Sequence, residues 1–180
     1  MERLKLATVW LGGCSGCHMS LLDLDEWLFE LARHFDVVFS PIMDIKRYPD
    51  GVDVCLIEGA VANDENLEMA QRVRAATRYV ISFGDCAVTG NVTSLRNPLG
   101  TALEVLQPIY AERGDVNAQI PHEPHIVPVL LDRVQPVHGV IEVDCYLPGC
   151  PPPADHIQAV LESLIAGKQP HLAEQMRRFG

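Results

Sequence analysis

Five short apolar runs punctuate this chain, and each reads as a buried strand: LKLATVWL (4–11), DVVFSPI (36–42), VDVCLIEGA (52–60), YVISFG (79–84) and GVIEVDCYLPG (139–149). Between them the period lengthens. Over 18–34, Leu21, Leu24, Leu28 and Leu31 recur near helical spacing with Asp23, Asp25, Glu26 and Glu30 among them, which predicts one amphipathic helix. Residues 64–77 predict another, with acidic residues in its first turn and arginines later, as the helix dipole favours. A short helix is expected within 97–114, a longer one over 154–167 with Gly167 as its stop, and a helical tail over 170–180. Residues 114–138, which carry Pro and His, predict irregular chain. Strands alternating with helices imply an α/β fold, a parallel sheet wound on both faces. Strand count and length predict a five-stranded, flavodoxin-like doubly wound sheet in a single domain, residues 1–180.

Composition narrows the function classes. A chain of 180 residues with 48% hydrophobic and 21% charged positions can bury a real core. A formal net charge of -10 argues against a nucleic-acid surface, because phosphate binding needs clustered Lys and Arg. MERLKLATVW shows no signal-peptide pattern or twin-arginine leader, and no apolar run is long enough to span a bilayer. The expected compartment is the reducing cytoplasm, where six cysteines point to metal or redox chemistry rather than to disulfides.

Four of those cysteines follow predicted strands directly: Cys14 and Cys17 in LGGCSGCHMS, Cys86 in SFGDCAVTG and Cys150 in YLPGCPPP. In an open parallel sheet the loops after the strands gather along one edge, where ligand sites form. Thiolates on three such loops can therefore close around one metal centre. Alone, the Cys14–Cys17 spacing also suits a redox dithiol or half a zinc site. Cys86 and Cys150 alter that balance, since a dithiol needs only two sulfurs. Structural zinc usually draws on two close pairs, whereas here there is one pair and two separated singles. An iron–sulfur cluster at a functional edge accounts for the arrangement better, although the closely repeated cysteines of a ferredoxin are absent. Cys55 and Cys145 lie inside predicted strands and read as small buried apolar residues.

Other cofactors fit less well. A flavin (FMN) often sits at this edge of such a sheet, but the first loop carries Cys14 and Cys17 where a Gly-, Ser- and Thr-rich phosphate loop would be expected. No Gly-x-Gly-x-x-Gly pattern follows a strand, which disfavours a nicotinamide site. Glu58 ends the third run at the same edge; it is a candidate proton relay, or a carboxylate bonded to backbone amides of a neighbouring turn. His18 adjoins the cysteine pair and can hydrogen-bond near it, start the helix or face a partner. His122 and His125 in IPHEPH could bind a metal but read better as part of a Pro-rich surface loop.

GGCSGCHMSLLDLDE, IEGAV, GDCAVTGN and PGCPPPADHI, in this order over nearly the whole chain, resemble the small-subunit family of nickel–iron hydrogenases. The quinone-reducing subunit of respiratory complex I is also similar, but it has adjacent cysteines in the first motif, unlike Cys14-Ser15-Gly16-Cys17. The resemblance implies one 4Fe–4S cluster held by Cys14, Cys17, Cys86 and Cys150 beside a large subunit's nickel–iron site, with Glu58 in the family's Glu-Gly segment. Larger hydrogenase small subunits carry further clusters in a C-terminal part, and no cysteine follows Cys150 here. These traits resemble the small subunit of soluble, bidirectional, NAD-reducing enzymes; short subunits of F420-reducing and sulfur-linked hydrogenases share them. Implied partners are the nickel–iron large subunit and iron–sulfur and flavin diaphorase subunits. The chain would relay electrons between them and would not split hydrogen alone, because the nickel site needs two cysteine pairs of the large subunit.

Overall fold

Each apolar run forms a strand where its neighbours can cover both faces. In the computed structural model, which describes residues 3–170, 172–177 and 179, β1 (Leu4–Trp10) leads to α1 (Gly16–Leu22) and α2 (Trp27–His34). There follow β2 (Phe35–Phe39), β3 (Val52–Glu58), β4 (Val61–Asn63) and α3 (Asp64–Ala76). β5 (Thr77–Phe83), α4 (Asp85–Thr89), α5 (Ala102–Leu106), β6 (Leu130–Gln135), β7 (Cys145–Leu147) and α6 (Ala154–Ile165) complete the order. The main sheet runs β2-β1-β3-β5-β7 with every pair parallel. Counted among its own five strands this is the flavodoxin-like 2-1-3-4-5 order.

Alternate strand residues feed two apolar layers. Leu6, Leu56, Ile81 and Phe83 pack with Leu21 and Leu31 and with Ile157 and Leu161 of α6. Ala7, Val9, Ile57 and Val80 pack with Ala70 and Val73 of α3 and Ala87 of α4. Leu56, Ile57, Ile81 and Phe83 are fully buried, each contributing about 1.5–3 kcal/mol of transfer free energy. That burial fixes the register, which places Trp10 beside Glu58, Glu58 beside Phe83 and Phe83 beside Leu147. α3 starts on Asn63, whose side chain accepts the Asn66 amide, a helix cap the apolar pattern alone did not show.

Four expectations need correction. The single helix over 18–34 is two, because the chain turns at Asp23–Glu26 with Asp25 at φ 48, a left-handed conformation that Asp tolerates. Leu24 stays buried through the turn, which is why the apolar stripe reads as unbroken. The irregular stretch 114–138 contains β6, which pairs antiparallel with β4 in a second, two-stranded sheet. The strand over 139–149 shrinks to Cys145–Leu147, since Gly139 ends a short 3-10 turn and Asp144 binds Arg74. The second run stops at Phe39, where Ser40–Met43 turns. In the tail, Glu174–Met176 forms one 3-10 turn; His171, Arg178 and Gly180 lie outside the described residues.

Cys55 and Cys145 are buried core residues. Burial pushes the Cys55 thiol from its ordinary 9.0 up to about 12, against an opposing hydrogen bond with Tyr48, and Cys145 up to about 11. Only the thiolate reacts with alkylating agents, so iodoacetamide at pH 8 should leave both unlabelled by mass spectrometry until denaturant is added. The unfolded thiols ionise near pH 9 while the folded ones do not. The stability each contributes is therefore complete below about pH 9 and is lost as pH rises toward its folded value.

Candidate functional site

The chain leaves β1, β3, β5 and β7 at one edge of the sheet, and two of these exits pack backbone on backbone. Leu11 donates its amide to the Glu58 carbonyl at 2.8 Å, and Gly12 and Ala60 exchange amide–carbonyl bonds at 2.9 Å. A Cβ at Gly59 would stand 2.8 Å from the Gly12 carbonyl carbon, and Gly59 has φ +90, so only glycine lets these loops close. The loop then delivers Cys14, exposed, and Cys17, buried on α1. β5 ends at Phe83, Gly84 turns at φ +83, and Cys86 follows half-buried on α4. β7 ends at Leu147, and Cys150 follows, exposed.

These four thiols share one electrostatic neighbourhood. Burial raises the Cys17 thiol well above its ordinary range, and the Glu58 carboxylate and the thiols of Cys14, Cys86 and Cys150 push the same way. Cys86 is raised first by burial, with Thr93 opposing and Cys150 and Cys14 reinforcing. The sulfurs also have room made for them. A Cβ on Gly84 would lie 2.2 Å from the Cys17 sulfur, and one on Gly16 would lie 3.3 Å from that of Cys14. Among the described residues no three Cys, His, Asp or Glu side chains are gathered closely enough to hold a single metal ion. Soft sulfur donors on three loops, given room by glycine, are of the kind that could hold an iron–sulfur cluster on losing their protons.

Glu58 sits at the same edge, 1% exposed. Its Oε2 accepts the His18 backbone amide at 3.0 Å and a short bond from His18 Nδ1. Of the two sequence alternatives for Glu58, this contact shows the carboxylate bonded to a neighbouring backbone amide, at the first turn of α1. Glu58 Oε1 and His18 Nε2 are buried without a hydrogen-bond partner among the described residues. His122 and His125 are exposed in the loop before β6. Beside the first loop, Thr8, Trp10, Met19 and Ile42 help line a mostly apolar cavity of about 440 Å³, with His18 on its wall and no Lys or Arg among its described lining residues.

Three side chains that the motif reading passed over also act at this edge. Asp85, 4% exposed, accepts the Gly149 amide at 2.7 Å while its own amide donates to the Gly149 carbonyl at 2.9 Å. The Ser20 hydroxyl donates to the Pro152 carbonyl, and the Thr93 hydroxyl to that of Gly12 at 2.8 Å. An Asp between Gly and Cys after a strand was a readable hint, since Asp favours bonding to nearby backbone. Ser20 and Thr93 gave none, because their partners are remote in sequence.

Residues 14–164 match the family model described as NADH ubiquinone oxidoreductase, 20 Kd subunit. The chain belongs to this family. Within its reach, the chain is 35% identical to the NAD-reducing hydrogenase HoxS subunit delta of Cupriavidus necator, over 98% of this chain and 86% of that one. It is 41% identical to a subunit of the F420-non-reducing hydrogenase of Methanothermobacter marburgensis over 93% of this chain, and spans 55% of that relative's length. A crystal structure of an NAD+-reducing [NiFe]-hydrogenase in the H2-reduced state contains a chain that superposes with a TM-score of 0.92 at 35% identity. The match covers 99% of this chain and 100% of that one.

Gly84→Ala should disrupt this edge first. The added methyl meets the Cys17 sulfur at 2.2 Å and forces a non-glycine residue to φ +83, together costing about 1–3 kcal/mol or more. Thermal or urea unfolding of the variant should show that loss, together with lower iron content after anaerobic reconstitution. Parent-like stability and iron would contradict the close approach.

Proposed function

We propose that this chain is the electron-transfer small subunit of a cytoplasmic NAD-reducing nickel–iron hydrogenase, with Cys14, Cys17, Cys86 and Cys150 holding one 4Fe–4S cluster. The observation that carries the reading is that the three loops bearing these thiols leave one sheet edge and pack together there, with the Cys17 sulfur against Gly84 and the Cys150 loop bonded to Asp85 and Ser20. It agrees with the likeness to the HoxS delta subunit and to the NAD+-reducing hydrogenase chain. When bound, the cluster supplies one-electron transfer between a partner's nickel–iron site and a diaphorase partner carrying iron–sulfur and flavin groups.

The chain's own residues prepare that site. Cys17 is buried in the apolar layer with Leu21 and Phe83, which keeps water from one side of the sulfurs and lowers the local dielectric. Trp10, Met19, Leu22, Val92 and Leu95 are exposed around the loops and segments that bear the thiols, a surface suited to a dry contact with a large subunit. Among the described residues no helix is long and apolar enough to cross a membrane. FMN stays outside this reading, since the cavity beside the first loop is mostly apolar and no Lys or Arg is among its described lining residues. The 41% identity to a chain of an F420-non-reducing hydrogenase favours, as a second reading, the same relay serving another acceptor. Hydrogen-dependent reduction of NAD and of several other acceptors by the purified complex separates the two. Hydrogen oxidation by this chain with no other polypeptide would refute both.

Serine substitution of Cys14, Cys17, Cys86 or Cys150 should lower iron and acid-labile sulfide content, while Cys55→Ala should leave both unchanged. Full iron retention in Cys86→Ser or Cys150→Ser would overturn the ligand set. Glu58 carries the further role of proton relay, supported by its buried, unpartnered Oε1 beside Gly13. Glu58→Gln keeps its shape and removes its titration, so turnover of the assembled complex should fall by roughly a hundredfold with the cluster still reducible by dithionite. Unchanged turnover across the pH range would leave Glu58 a purely structural bond to His18.

A further inference from the structure

Beyond the last shared rung of the sheet, nothing in the ladder holds the three thiol-bearing loops to one another. Among the described residues, one main-chain bond, Asp85 N to Gly149 O, crosses between them, and the other hydrogen bonds that join them come from three side chains outside the thiol set. Thr93, on the 3-10 segment after α4, donates to Gly12 O and so ties the Cys86 segment to the loop of Cys14 and Cys17. Asp85 ties the Cys86 turn to the Cys150 loop by its two-way exchange with Gly149. Ser20, one turn after Cys17 on α1, ties that helix to the Cys150 loop through Pro152 O. Traced in order, the three links close on themselves.

We propose that Thr93, Asp85 and Ser20 are positioning residues that join the three loops in a closed ring of hydrogen bonds and so hold the four sulfurs at their stations. The inference rests on the cluster reading above and adds to it residues that ligate nothing. In each link a side chain bonds a main-chain group, so the requirement falls on the residue types at 20, 85 and 93 and not on their partners. Ser20 and Asp85 are 5% and 4% exposed, so a lost link leaves a buried main-chain group without its partner, which is expensive. Thr93 has a second contact. Its side chain and amide also face the Cys86 thiol; the hydroxyl hydrogen is already given to Gly12 O, so the amide is the donor left for that sulfur, the kind of contact that tunes a cluster. A ring also constrains more than its separate links, because each loop is held at two points.

The test uses the purified complex with its iron in place. Thr93→Val keeps the shape and removes the hydroxyl, Thr93→Ser keeps the hydroxyl, and Ser20→Ala cuts the ring elsewhere. Two quantities are read: the EPR spectrum of the dithionite-reduced complex, and the rate of iron loss to a chelator. Thr93→Val and Ser20→Ala should lose iron about threefold to tenfold faster, the size of one net hydrogen bond. The EPR signal should change in Thr93→Val and return in Thr93→Ser, a rescue that a general loss of fold stability would not give. If the parent loads one cluster and all three variants match it in both readouts, the ring is refuted and the cluster reading stands. If the parent itself binds no iron, both fall.

Discussion

Trp10, Glu58, Phe83 and Leu147 stand on one rung of the parallel ladder, and three thiol-bearing loops and the buried carboxylate are referred to that rung. The apolar positions before it enforce the register: Leu56 and Ile57 are both fully buried but belong to opposite layers. Slipping β3 by one residue would exchange the two layers and carry Glu58 to the face of α3, away from His18. Strand pairing far from the sulfurs thus decides which side chains meet around them.

Past the rung, close packing takes over from the ladder. The loops after β1 and β3 touch through Gly59, and Cys17 nestles against Gly84. The four thiols end up unequally placed, with Cys17 in the core, Cys86 half-covered and Cys14 and Cys150 exposed. One side of the site is finished by the chain itself. The other is open, and its apolar surroundings give a partner something to cover.

The strand ends were legible because continuous apolar runs terminate at glycine in LGG, IEG, SFG and LPG, and the loops with their cysteines follow from those ends. What the sequence hid was non-local. β6 is only partly covered along its length and owes its conformation to β4, Arg96 and Asn97, all more than thirty residues away. The turn at Asp23–Glu26 was masked because Leu24 extends the apolar stripe through it. Asp85 was visible as a residue type, but its partner Gly149 is 64 positions distant, and no local pattern encodes such a bond.

The outlying β4–β6 ribbon has a consequence for how the chain can vary. Arg96 and Asn97 bond to the main chain of Leu131, Asp132 and Val134, and Thr101 and Glu104 cap the helix that follows. The segment between α5 and β6 is therefore anchored at both ends, and much of it, from Glu112 to Ile120 and through His125, is exposed or partly so. For a flexible loop between fixed ends, each doubling of length costs only about 0.6 kcal/mol. Related chains can lengthen, shorten or rewrite this stretch to suit different neighbours while the sulfur-bearing edge keeps its shape.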